Sequence, residues 1–153
     1  RLAGRAGPLS DLQRCAGGAL FVRLGTAHFT LADSHDGGLD DEEMAWLRDD
    51  LCSTKQPLKI VVLHHPPFDP DGTRHTMVYG RRAFLELVAG QDVDYVLAGH
   101  IHAFVQGQRD GVEYYITGGA GAALYSDEPP EAFYHYLHVT VEGEELAVEV
   151  VRI

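Results

Sequence analysis

From Ala19 onward the chain alternates short apolar runs with polar turns, and the spacing of the apolar positions separates strands from helices. ALFVRLG and AHFTLADS are β-branched and aromatic runs parted by Gly25-Thr26, which predicts two adjacent strands joined by a tight turn. In GGLDDEEMAWLRDDLC, Asp40 precedes Glu43 as in a capping box, and Met44, Leu47 and Leu51 recur at helical steps. A helix therefore opens there, with acidic residues at the end of its dipole that favours them, and Pro57 bars its continuation. LKIVVLHH is a nearly unbroken apolar run, the pattern of a strand covered on both faces. After the proline- and aspartate-rich loop PPFDPDGTRH, RRAFLELVAG reads as a second helix closed by Gly90, and DYVLAGH as a second buried strand.

Beyond His102 the pattern changes to hairpins. AFVQGQ and VEYYITG flank Asp110-Gly111, and FYHYLHVTV and ELAVEVVRI flank Glu142-Gly143, giving strands with two turn signals. Residues 1–18, rich in Gly, Ala and Arg with Pro8, read as an irregular lead-in, which leaves 19–153 as one domain. The architecture expected is α/β at the start and antiparallel β at the end, with one sheet carrying helices, plus strands that need a second sheet to cover their apolar face.

Composition narrows the partners rather than the fold. With 153 residues, 45% hydrophobic and 23% charged, the chain is long enough to bury a core of its own. Its 12 basic and 23 acidic side chains give a formal charge of −11, which disfavours nucleic acid and anionic membrane surfaces as partners. A small anionic substrate remains compatible where a bound metal dominates the local field. Cys15 and Cys52 lack metal-binding spacing; they pair if the protein is exported, or Cys52 is a buried thiol at the apolar end of its helix. No apolar run has transmembrane length; the first residue is Arg1 rather than methionine and the opening RLAGRAGPLS lacks the apolar centre of a signal peptide, so the sequence reads as part of a longer product and its compartment is left open.

The chemistry is carried by histidines. His64-His65 ends one buried strand and His100-Ile101-His102 ends the other, and in open α/β sheets the carboxyl ends of strands are where ligands bind. Neutral imidazole is a common transition-metal ligand, and rigid strand ends can aim several rings at neighbouring ions. Gly99 permits a sharp turn before His100, and Pro66-Pro67 restricts the loop after His65. His28, His75, His135 and His138, taken singly, read as packing or surface residues, and the unlike parity of His135 and His138 puts them on opposite faces of their strand. Gly118-Gly119-Ala120-Gly121 lacks the spacing of a phosphate loop and reads as close backbone approach; Tyr79 and Tyr125 read as aromatic packing or as pocket lining.

LHHPPF followed by AGHIHAF resembles the last two motifs of the calcineurin-like metallophosphoesterases, and FTLADS, GGLDDEEMAWLRDDL and GVEYYITGGAGAALY resemble further segments of bacterial members in the same order. The resemblance covers roughly residues 19 to 152 and implies the C-terminal half of a two-sheet αββα sandwich, a mixed sheet plus antiparallel hairpins. It further implies that His64 and His100 ligate one metal and His102 the other, while His65 lines the site as a catalytic or substrate-facing residue. In that family two divalent ions, of manganese, iron or zinc, hold the nucleophile, polarise the phosphoryl oxygen and steady the leaving oxygen of a small phosphomonoester or phosphodiester.

The chain departs from the family in its acidic motifs: Gly-Asp-x-x-Asp and Gly-Asn-His do not occur. Asp33-Ser34-His35 spells Asp-x-His, but nothing like the next motifs comes after it before His64, and it reads as a turn with local hydrogen bonds. Imidazoles without a carboxylate leave a pair of dications uncompensated, so the chain alone is expected to hold little metal or none and to be inactive. Two other readings stay open, a non-catalytic, metal-poor binding or assembly module and a histidine-based single-zinc module. A half-covered sheet would also favour self-association.

Overall fold

The paired runs after Ala19 form an antiparallel hairpin because Gly25, at φ +58°, takes the left-handed turn conformation that glycine adopts without strain. In the computed structural model, which describes residues 19–68, 75–124 and 132–153 together with the backbone of 12–14, these are β2 (Leu20–Leu24) and β3 (Ala27–Leu31). A short strand, β1 (Leu12–Arg14), pairs with β2 through Leu12 and Val22, so the lead-in expected to be irregular contains a sheet edge.

Helix α1 (Asp41–Ser53) opens where the capping pattern places it, and the Asp40 carboxylate accepts the Glu43 backbone N–H at 2.8 Å. Strand β4 (Leu58–Leu63), helix α2 (Arg81–Gly90) and strand β5 (Tyr95–Ala98) come next along the chain. The hairpin of β6 (Phe104–Arg109) and β7 (Val112–Thr117) turns at Asp110 and Gly111, both at positive φ, and β8 (His135–Glu142) pairs with β9 (Glu145–Arg152) across Gly143.

The main sheet runs β1-β2-β3-β4-β5-β7-β6. Its centre is parallel, β3 to β4, β4 to β5 and β5 to β7, which places the carboxyl ends of those strands along one rim. Sequence periodicity gives the β6–β7 hairpin but not its docking, because the parallel pairing of β7 with β5 is a non-local choice.

Both helices cover one face. Met44, Leu47 and Leu51 of α1 and Phe84, Leu87 and Val88 of α2 pack with Val61, Leu63, Val96, Ala98 and Ile116. On the opposite face Leu146 of β9 buries Ala27, Leu58 and Ile60, with Val139, Val141 and Val148 beside it. The Thr26 hydroxyl donates to the Gly143 carbonyl and ties the β2–β3 turn to the tip of that outer hairpin. Ile60 and Val61, on opposite faces of β4, are both fully buried, as an apolar run covered on two sides requires. The fold is therefore α/β, with a mixed sheet carrying helices on one face and an antiparallel hairpin on the other.

Cys52 is exposed, its thiol donating to the Gln91 side chain at 3.2 Å, so the buried thiol expected there is not found. The reason is register: Leu51, not its neighbour, falls on the stripe that α1 turns toward the sheet. Cys15 and Tyr125 lie outside the described residues. Among the described residues no helix is long and apolar enough to cross a membrane.

Candidate metal centre

Because β4 and β5 are parallel neighbours, their carboxyl ends bring His64-His65 and His100 to one place. The two connections are stitched together by the Gly99 N–H donating to the His64 carbonyl at 3.1 Å. His64 Nε2 and His100 Nδ1 lie 3.1 Å apart. Two imidazole nitrogens sharing one ion at about 2.1 Å each stand roughly 3 Å apart, so this spacing fits a common cation. The rings of His65 and His100 are 4.3 Å apart, and one ligand atom from each of His64, His65 and His100 falls within a 4.8 Å span.

His100 itself has φ +65°. A left-handed conformation at a non-glycine residue is strained, and such strain persists where surrounding structure fixes it. The sharp turn expected at Gly99 thus falls one residue later, on the candidate ligand.

His102 stands outside the three-residue cluster. Its Nδ1–H donates to the Ala123 carbonyl at 2.7 Å, an arrangement that puts the ring's lone pair on Nε2. His65 is held in the same manner, Nδ1–H to the Ser34 carbonyl. Bonds of this type to backbone carbonyls are what orient metal-ligating imidazoles.

Burial lowers the pKa of His64, with His65 and His102 adding to the effect. Burial also lowers that of His100, helped by His65, His64, His75 and His102, to about 4. Neutral rings are the form that accepts a metal. The lowered pKa and 3.1 Å spacing of His64 and His100, with the carbonyl-oriented rings of His65 and His102, therefore fit a divalent cation.

Sequence reading did not single out two neighbours of this cluster. His75, read as a packing or surface residue, brings its ring within 6.0 Å of His100. Ser34, assigned to a local turn, is 1% exposed and accepts the backbone N–H groups of both His64 and His65. No local pattern signals either contact, since each spans some thirty residues of chain or an intervening loop.

The remaining histidines stand outside this cluster. His28 is fully buried against Asp50, Nε2 to Oδ2 at 2.8 Å. His135, also fully buried, engages the Phe133 carbonyl and the Thr117 hydroxyl, whereas His138 faces outward beside Glu149. Asp33 accepts both the backbone and the ring N–H of His35, the local turn its sequence suggested. Tyr79 lines an acidic cavity of about 220 Å³ with Asp33, Asp36, Asp40, Glu43 and Trp46, and none of the clustered histidines lines it. The glycine run acts through close approach: a Cβ on Gly118 would collide with the Ile101 carbonyl, between His100 and His102, and one on Gly119 with the His135 ring.

Residues 7–104 match the calcineurin-like phosphoesterase family. The chain belongs to that family. Among curated members, a probable cyclic nucleotide phosphodiesterase of Rhodococcus erythropolis is 30% identical over 83 residues, covering 53% of this chain and 28% of that protein. Purple acid phosphatase 23 of Arabidopsis thaliana is 33% identical over 93 residues, covering 58% of this chain and 19% of that protein. The chain thus spans under a third of the length of either relative.

Among solved structures, the purple acid phosphatase PPD1 from yellow lupin seeds superposes with a TM-score of 0.75 at 18% identity, covering 88% of this chain and 30% of that one. GAP50, the anchor in the inner membrane complex of Plasmodium, gives 0.52 at 16% identity over 64% of this chain and 35% of its own. Both likenesses concern the fold, and they agree with a part of the metallophosphoesterase sandwich.

Proposed function

We propose that this chain supplies the histidine half of a dinuclear metal site that hydrolyses small phosphomonoesters or phosphodiesters. His64 and His100 would hold one ion, His102 the other, and His65 would face the substrate. The observation that carries this reading is the 3.1 Å approach of His64 Nε2 to His100 Nδ1 at adjacent strand ends. It is supported by the depressed pKa of both rings and by relatives named for phosphodiesterase and phosphatase activity.

Bound divalent ions would supply Lewis acidity toward the phosphoryl group and the attacking water. The chain's own residues do the positioning. The Ser34 carbonyl orients the His65 ring, the Ala123 carbonyl orients His102, and the strained turn at His100 sets its ring against His64. No carboxylate joins the imidazole cluster among the described residues, so a pair of dications would need acidic ligands from elsewhere. The chain alone is accordingly expected to bind metal weakly and to turn over nothing.

The test is hydrolysis of 4-nitrophenyl phosphate and bis(4-nitrophenyl) phosphate with manganese or zinc. It compares the 153-residue chain with a longer product carrying an upstream aspartate-bearing segment. Turnover is expected only in the longer product, falling at least about a hundredfold in its His100→Ala variant. Turnover indifferent to that substitution would overturn the reading.

The carboxylate-free cluster also favours a second reading, a non-catalytic binding or assembly module of this family. It predicts no turnover in either product, with or without metal.

A further inference from the structure

We infer that Ser34 is a positioning residue for the histidine cluster, acting through the backbone of His64 and both the backbone and the ring of His65. The inference rests on the metal-site reading above only for its functional consequence; the clasp itself is a matter of geometry.

Ser34 lies in the loop after β3 and is 1% exposed. Its Oγ accepts two consecutive backbone N–H groups, from His64 at 3.1 Å and from His65 at 3.0 Å. Its carbonyl accepts the His65 ring Nδ1–H and, from its own loop, the Gly37 N–H at 3.0 Å. One residue thus fixes three coordinates of the site: the path of the chain at His64, the path at His65, and the tautomer of the His65 ring.

The chemistry explains why a serine stands there. At the end of β4 the sheet ladder stops, leaving the amides of His64 and His65 without strand partners. A compact hydroxyl oxygen can accept both at once and needs no room for a longer side chain. Convergence of two successive N–H groups on one oxygen restricts the peptide between the two histidines. That peptide decides whether the His64 ring can reach His100. The neighbouring Asp33 carboxylate accepts from His35 two residues on, whereas the amides of His64 and His65 converge on Ser34.

The test uses the full chain with Ser34→Ala, which removes the acceptor, and Ser34→Thr, which keeps it. Backbone amide exchange is read at His64 and His65 and, as references in the same sheet, at Val61 and Val96. Zinc affinity is read by titration. In Ser34→Ala, exchange at His64 and His65 is expected to rise at least about tenfold with the reference amides unchanged, and zinc to bind roughly 10–100-fold more weakly, the usual effect of losing a partner that orients a ligand. Ser34→Thr should restore both.

Unchanged exchange at the two histidines, acceleration spread evenly over the sheet, or loss of folding in both variants would overturn the inference, since the last two mark a residue that merely supports the fold. Equal zinc affinity in the parent and Ser34→Ala would remove its functional consequence. Failure of the parent chain to take up zinc would instead count against the metal-site reading, with the exchange arm still deciding the clasp.

Discussion

Only a neutral imidazole can take up a metal, and burial favours that form at His64 and His100, helped by neighbouring histidines, His65 and His102 at the first and His65, His64, His75 and His102 at the second. The same shift has a consequence for stability. The folded His100 titrates near 4 rather than 6.5, so below 6.5 the unfolded chain binds more protons than the folded one. Stability is fully present above about 6.5 and is lost as the pH falls toward about 4. Urea midpoints should therefore drop between pH 7 and pH 4.5, and the drop should shrink in His100→Gln; a midpoint independent of pH would contradict this. His100 also occupies a left-handed turn at φ +65°. Replacing it with glycine relieves strain of about 1 kcal/mol while removing the ring. His100→Gly should thus stay within about 1 kcal/mol of the parent in chemical denaturation and yet lose zinc uptake. Retained uptake would show that the ring is not a ligand.

Between elements, a buried polar contact adds to the apolar packing of α1 on the sheet. Asp50 of α1 accepts from His28 at 2.8 Å and from the Thr30 hydroxyl at 2.6 Å, all three buried. Asp50→Ala would strand two buried donors, a loss of about 3 kcal/mol in denaturation, while zinc uptake at the distant strand ends stays unchanged. A neutral effect on stability would contradict the role assigned to this network. Gly118→Ala tests a second junction, since its Cβ would meet the Ile101 backbone. Both stability and zinc uptake should fall, because the loop displaced is the one that carries His100 and His102; an unchanged zinc affinity would separate the glycine from the site. The elements themselves were legible in sequence wherever the signal was local: the period of α1, the Asp40 cap, and the Gly25 and Asp110-Gly111 turns. Side-chain networks such as His28 with Asp50, or Ser34 with His64, join residues far apart in the chain, and no periodicity encodes them.

Across the whole molecule, the outer hairpin of β8 and β9 covers only part of its sheet face. Leu31, Val62 and Leu97 form a cross-strand row that is only partly buried. Self-association that buries this row is expected, and sedimentation at micromolar concentration should report a mass that rises with concentration; a fixed monomeric mass would contradict it. The sequence put His64 and His100 at the ends of two apolar strands and, through its family resemblance, implied that they share an ion; parallel pairing of those strands brings the two rings together. It could not disclose that His75 approaches the same cluster, because that depends on the path of a loop. The most direct test of the central claim is zinc titration of the chain monitored by imidazole ¹⁵N resonances. The account predicts weak, saturable perturbation of His64 and His100, with no response from buried His28 and His135 or from exposed His35 and His138. Perturbation confined to His35 beside Asp33 and Asp36, or absence of any response at His64 and His100, would contradict it.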